Sequence, residues 1–146
     1  DMQDILLDLQ EELHKTIIFI THDLDEALSI GDNIVILRDG AVIQQGSPQE
    51  IVLDPVDDYV RDFIKDINRG RVLDVSAVME PGASDAGLDF AATVLLEDAM
   101  PAMVKADVTR AKVVRDGEVI GEITLAAMIR AIGRPESHEG EQVTYR

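Results

Sequence analysis

The chain contains no cysteine and no tryptophan, and aromatic residues make up only 3% of its 146 positions. Without cysteine there is neither a disulfide framework nor a thiolate metal site, a composition that fits a reducing compartment. Positive charge is scarce as well: 13 Lys and Arg face 29 Asp and Glu, for a formal net charge of −16. So acidic a surface repels phosphate backbones and anionic headgroups, which argues against nucleic acid or lipid as a direct partner. No apolar run approaches the about 20 residues needed to cross a bilayer, and no signal-peptide pattern opens the sequence. A soluble, cytoplasmic protein without direct membrane insertion is the expectation. Also missing is any G-x-x-x-x-G-K-[ST] loop, the backbone cradle for nucleotide phosphates.

What is present suffices for a core: 46% of residues are apolar, and the length allows one domain or two small ones. The acidity is uneven. Residues 1–70 hold 16 acids and 5 Lys or Arg, whereas residues 71–146 hold 13 and 8. Solubility explains this simply; a salt-dependent contact with a basic surface on a partner is the sharper alternative.

The organising stretch is residues 15–46, KTIIFITHDLDEALSIGDNIVILRDGAVIQQG. Residues 16–21 are apolar or β-branched at nearly every position, the pattern of a parallel strand covered on both faces. The run ends at His22. A helix is expected at once, with Asp23 as its cap, Glu26 three positions on, and Gly31 at its end. His22 therefore stands, in this reading, at the carboxyl end of an inner strand, the edge where open α/β sheets bind ligands. Residues 33–37 and 41–45 read as strands joined by the two-residue turn Asp39-Gly40. Ser47, Pro48 and Glu50 then form a capping box with proline at the first helical position.

The motifs T-H-D-x-x-E-A, R-D-G and Q-x-G-S-P-x-E, followed by L-D-P-x-x-D-Y-V-R-D-F, resemble the C-terminal part of the ATPase subunit of ABC transporters. Within that family they are most similar to importers for glycine betaine, proline and choline. The resemblance covers roughly residues 1–80. It implies that His22 matches the switch histidine, which contacts the ATP γ-phosphate; an imidazole can donate one hydrogen bond to phosphate oxygen and respond to its loss. It further implies ATP and magnesium in the parent protein, a transmembrane permease as partner, and a peripheral position on the inner face of the plasma membrane. The ABC signature, the Q-loop glutamine and the strand with the magnesium aspartate and catalytic glutamate are absent here. This chain alone is therefore expected to hold no cofactor and to be inactive as an ATPase.

The first segment, residues 2–13, spaces Met2, Ile5, Leu6, Leu9 and Leu13 as an amphipathic helix packed on the sheet. In the family this helix follows the D-loop, so the sequence reads as a piece of a longer chain. Asp54-Pro55 is read as the start of a further helix, with Val56, Tyr59, Val60, Phe63, Ile64 and Ile67 as its core stripe and Asn68-Arg69-Gly70 as its end. A domain boundary is expected near Gly70.

Beyond it, residues 72–79 read as a short strand and turn, 80–89 as a loop, 92–95 as a strand and 96–105 as a helix. Pro101 is costly inside that helix, which should start late or kink. Residues 111–115 and 118–124 form a second hairpin around Asp116-Gly117, and a helix follows over 125–132, closed by Gly133. The stretch VRDGEVIGEIT with its helix resembles one CBS motif, over residues 72–133. Such motifs work in pairs, so a lone copy implies a homodimer that covers its open sheet face. Nucleotide-holding copies carry G-x-x-[ST]-x-x-D; Gly121 and Thr124 match, but Ala127 replaces the aspartate. Thr124 is thus either a helix cap or a ligand contact. Residues 134–146 read as a polar tail. His14 and His138 have no partner at metal-ligand spacing, so no metal site is expected.

The fold expected is α/β: a partial ABC-ATPase parallel sheet with C-terminal hairpin and helices over residues 1–70, then a small α+β CBS-like unit over residues 71–133. Function follows as the C-terminal part of an importer ATPase subunit for quaternary amines. The alternative is a free-standing CBS-type dimerisation or small-ligand sensor module without ATPase activity.

Overall fold

The computed structural model describes residues 2–133; the tail expected over residues 134–146, His138 included, lies outside the described residues. The chain is a mixed α/β fold with a two-stranded and a four-stranded sheet. Its first helix, α1 (Met2–Leu13), forms as its periodicity demands, yet none of its residues is buried. Met2 and Ile5 stay 68% and 66% exposed, so the packing of this helix on a sheet is not realised.

The reason lies next to it. Residues 16–21 form no strand, and Ile18 and Ile20 are 86% and 91% exposed. An inner strand needs a neighbour on each side for its N–H and C=O groups and a layer over each face. The described residues supply neither here, and the partial parallel sheet of the first unit is corrected to an antiparallel ribbon. That ribbon is β1 (Ile34–Arg38) and β2 (Ala41–Gly46). It turns through Asp39 and Gly40, at φ 51 and 79, the left-handed pair that lets a two-residue turn match strand twist. One face, Ile34 and Ile36, enters the core, while Val35, Leu37 and Val42 stay exposed.

Downstream, Ser47 caps α3 (Pro48–Leu53) in a complete capping box, with both reciprocal bonds to Glu50. The next helix begins later than Asp54-Pro55 suggests. It is α4 (Asp58–Ile64), capped by Asp57, whose side chain accepts from the Val60 N–H. The Gln44 carboxamide holds the loop between them, donating to the Asp54 carbonyl and accepting from the Val56 N–H, each at 2.9 Å. Those two bonds fix Asp54 to Val56 as a loop and leave Val56 exposed. Tyr59 and Phe63 stack at 5.9 Å between centroids, and the Arg38 guanidinium lies 4.7 Å over the Tyr59 ring.

A 3-10 turn (Arg69–Arg71) leads into α5 (Val75–Val78). The expected strand over 72–79 is a helix because Asp74 caps it, accepting from the Ala77 N–H at 2.9 Å. The four-stranded sheet follows in the order β3-β6-β5-β4, from β3 (Glu80–Pro81), β4 (Asp89–Ala91), β5 (Arg110–Arg115) and β6 (Glu118–Thr124). Only β4 and β5 run parallel. Between β4 and β5 lies α6 (Leu96–Lys105), one uninterrupted helix despite Pro101. Its buried face, Leu96, Ala99 and Met103, outweighs the one backbone bond that proline removes. Last comes α7 (Leu125–Ile132).

The two hairpins share a local design. Asp116 and Gly117 turn at φ 52 and 80, as Asp39 and Gly40 do. Both ladders slip at the same place, after Ile36 in one and after Val113 in the other, and each is followed by a hydroxyl-capped helix. One apolar cluster runs from Leu28, Ile34 and Ile36 through Ile51, Val52 and Val60 to Leu96, Met103, Ile123 and Met128.

Gly121 is fixed by contact rather than by backbone angle. A Cβ there would lie 2.5 Å from the Glu80 carbonyl oxygen and 2.6 Å from Met79 Sδ, so any larger residue pushes β3 off the sheet. Gly121→Ala is expected to cost about 1–3 kcal/mol in urea unfolding. At Gly133, where a Cβ would meet nothing nearer than 3.4 Å, the same change should be nearly neutral.

Candidate functional site

His22 sits one residue ahead of the cap of α2 (Leu24–Ile30). The backbone on either side of it is held by side chains. Asp23 accepts from the Glu26 N–H at 3.2 Å. Thr21 Oγ1 donates to Glu26 Oε2 at 2.9 Å and accepts from the Asp23 N–H at 3.0 Å. The T-H-D-x-x-E pattern is thus a self-contained turn: its threonine, aspartate and glutamate bond one another, and the histidine is left facing outward. His22 is exposed, and among the described residues no hydrogen bond engages its imidazole. The ring is free to donate to or accept from a ligand. Because residues 16–21 form no strand, His22 ends an exposed segment rather than an inner strand, a correction to the position expected for it.

ATP and magnesium can be tested against this geometry. His22 offers one polar ring, and its neighbours Asp23, Asp25 and Glu26 are anionic, the wrong sign for phosphate oxygens. No group of three His, Cys, Asp or Glu is placed to hold a metal ion among the described residues. These residues do not form a nucleotide site by themselves.

Thr124 occupies the junction of β6 and α7. Its Oγ1 accepts from the Ala127 N–H at 3.1 Å, which makes it the cap of α7. It lines a shallow depression of about 490 Å³ with Thr109, Arg110, Leu125, Ala126 and Ile129, and His22 is not among the lining residues. Arg110, the one cation at the rim, is already engaged. It donates to Asp85 at 2.7 Å and to Glu122 at 3.3 Å, and Ser84 Oγ donates to the same Glu122 oxygen at 2.5 Å. An anionic ligand there would compete with two carboxylates for one guanidinium. The ion pairs are exposed and add little to stability, but they cancel the charge that would attract a phosphate.

One residue of structural weight escaped the sequence reading. By sequence Arg69 is no more than part of a helix end. Its Nη2 donates to the Val52 carbonyl at 3.0 Å and its Nη1 to the Ala131 carbonyl at 3.1 Å. Burial pushes its pKa below the ordinary arginine value, and no carboxylate lies within ion-pair distance among the described residues. The only sequence signal was an arginine beside glycine in N-R-G-R, which does not say what the side chain meets.

No family model matches the chain. It is 62% identical over 79 residues to the glycine betaine/carnitine transport ATP-binding protein GbuA of Listeria monocytogenes, covering 54% of this chain and 20% of that protein. It is 52% identical over 80 residues to the glycine betaine transport ATP-binding protein OpuAA of Bacillus subtilis, covering 55% and 19%. Against the trimethylamine N-oxide transport system ATP-binding protein TmoW of Ruegeria pomeroyi, identity is 37% over 123 residues, covering 84% and 36%. The chain therefore spans about a fifth to a third of the length of these relatives. They are transport ATP-binding proteins, as the motifs in residues 1–80 led us to expect. Among solved structures, a CBS domain-containing protein from Kribbella flavida aligns with 68% of this chain and 76% of its own at 16% identity and a TM-score of 0.30. An uncharacterised conserved protein from Pyrococcus horikoshii aligns with 77% and 73% at 15% identity and a TM-score of 0.30.

Removing the Thr124 hydroxyl tests its role as a cap. Thr124→Ala is expected to cost about 1 kcal/mol in thermal or urea unfolding, whereas Thr124→Ser should restore nearly all of it. An equal loss in both would mean that the γ-methyl, not the hydroxyl, carries the effect.

Proposed function

We propose that this chain is the C-terminal part of the ATP-binding subunit of an ABC importer for small quaternary amines such as glycine betaine. The observation that carries this reading is the 62% identity over 79 residues to a glycine betaine/carnitine transport ATP-binding protein. In the whole subunit, ATP and magnesium would be held by residues outside this chain. His22 serves there as the switch histidine, with an outward imidazole on a turn stiffened by Thr21, Asp23 and Glu26. The partner is a transmembrane permease. That contact places the subunit on the cytoplasmic side of the plasma membrane without any span of its own; no described helix is long and apolar enough to cross a membrane.

The same reading accounts for the bare apolar run at residues 16–21. In the whole subunit it is an inner strand, flanked and covered by preceding sequence. Residues 71–133 form the regulatory unit, CBS-like in its hairpin and helix. The apolar sheet face expected to be open is covered by α6 and α7, so we place the homodimer contact on those helices instead, at exposed Val104 and Ile129, 65% and 56%.

Three outcomes test this. In the whole subunit, extended upstream of Asp1 to include its phosphate loop, His22→Ala should lower ATP hydrolysis by about 100-fold or more while nucleotide binding persists. Retained hydrolysis would remove the switch role. In that subunit Ile18→Asp should abolish folding, yet leave the melting temperature of the 146-residue chain almost unmoved, because Ile18 is already exposed here. For the dimer, sedimentation of Val104→Glu/Ile129→Glu should show only monomer where the parent chain shows a pair. The alternative of a sensor module without ATPase activity predicts micromolar binding of an adenosine nucleotide by the 146-residue chain alone. Calorimetry with ATP and AMP separates the two readings.

A further inference from the structure

The apolar cluster crosses from the first hairpin and its helices to the four-stranded sheet, but polar bonds between these parts converge on one short segment, residues 68–73. Asn68 Oδ1 accepts from the Gly70 N–H at 3.1 Å and tightens the turn. Arg71 Nε donates to Glu97 at the start of α6, at 3.2 Å. The Leu73 carbonyl accepts from the Leu96 N–H at 2.9 Å, and the Val72 carbonyl accepts from Gln49 of α3 at 3.3 Å. Gly70 is buried here, and a Cβ on it would lie 3.5 Å from both Glu97 Cβ and Ile132 Cδ1.

Arg69 stands apart in that segment. Its two terminal nitrogens reach carbonyls at the C-terminal ends of two different helices, Val52 in α3 and Ala131 in α7. Both carbonyls are among the last of their helices and have no intrahelical partner to accept from. A helix C-terminus carries partial negative charge, so one cation serves both ends. The fixed, planar fork of a guanidinium spans the two acceptors at once; an ammonium is a point donor and does not.

We infer that Arg69 is a tie-bar that makes the last turns of α3 and α7 open and close together, so that a disturbance of α7 in the second unit is felt at α3 in the first. Nothing in this coupling requires the chain to serve an ATPase; it rests on the two carbonyl contacts alone. Its consequence is reciprocal coupling: anything that docks on or loosens α7 alters the helix that follows the first hairpin, and the reverse.

Amide hydrogen exchange on the whole 146-residue chain tests it, with two reporters. The Gly133 N–H, bonded to the Ile129 carbonyl, reports the last turn of α7, and the Asp54 N–H, bonded to the Glu50 carbonyl, reports that of α3. Thr124→Ala loosens α7 from its far end by removing the cap. With Arg69 present, it should speed exchange at both reporters by about fivefold, the size of a lost cap, beyond any change at the β1–β2 ladder amides, which follow global stability. In an Arg69→Met background the Gly133 response should persist and the Asp54 response disappear. Arg69→Lys, which keeps the charge and is the milder change for folding, should also lose the Asp54 response; if it keeps that response, charge rather than the fork carries the coupling and the tie-bar is overturned. An Asp54 amide that ignores Thr124→Ala even with Arg69 present overturns it too, whatever the Arg69 variants do. So does an Asp54 response of the same size in all three backgrounds.

Discussion

The folded body of this chain depends on one apolar layer, the interface between the inner face of β5 and β6 and the helices laid across it. Ala111, Val113 and Ile123 from the strands meet Leu96, Ala99, Met103 and Met128 from α6 and α7, and all seven are fully buried. The five larger ones, Val113, Ile123, Leu96, Met103 and Met128, each contribute on the order of 1.5–3 kcal/mol by leaving water, so the layer outweighs local costs nearby. It holds Pro101 inside a helix and leaves β3 only a glycine's width at Gly121. The smaller contribution from the first hairpin, through Ile34 and Ile36, joins the same cluster by way of Ile51, Val52 and Val60.

The N-terminal residues show what happens when such a layer is not supplied. α1 carries an apolar stripe and residues 16–21 are as apolar as a core segment, yet neither contributes a buried residue. A helix bonds most of its own backbone internally, and α1 is present without a buried face; a strand satisfies nothing by itself and does not form without a neighbour. That difference explains why the helix expected from periodicity is present and the strand expected from composition is not. His22 inherits the consequence: its local turn is complete, and the sheet edge on which it was expected to stand is not.

Polar contacts decide how the parts are joined. Gln44 fixes the loop ahead of α4, and Asp74 converts a strand-like stretch into a helix. Arg69 sets the ends of α3 and α7 against one another. Each bonds backbone groups, Asp74 taking the Ser76 hydroxyl as well, and so each shapes the path of the chain. Thr124 belongs with them in its bonding, and the pairing of Arg110 with Asp85 and Glu122 leaves the depression beside it without net attraction for an anion.

Most features that depend on neighbours a few residues away were legible in the sequence; the caps Asp57 and Asp74, which also reach only three residues ahead, were not. Asp39-Gly40 and Asp116-Gly117 need only their own positive φ angles to make tight turns. Ser47, Asp23 and Thr124 cap helices by reaching three residues ahead, and the spaced motifs around His22 were legible as a family likeness for the same reason. Tertiary structure alone decided what depends on partners far along the chain. Residues 16–21 had the composition of a strand but no ladder to join. Asp57 rather than Asp54 began α4 because Gln44, on another strand, held the loop between them. Arg69 found two carbonyls that lie 17 and 62 residues away in sequence. A local pattern fixes its own hydrogen bonds, whereas burial and long-range bonding are properties of whatever the folded chain happens to place alongside.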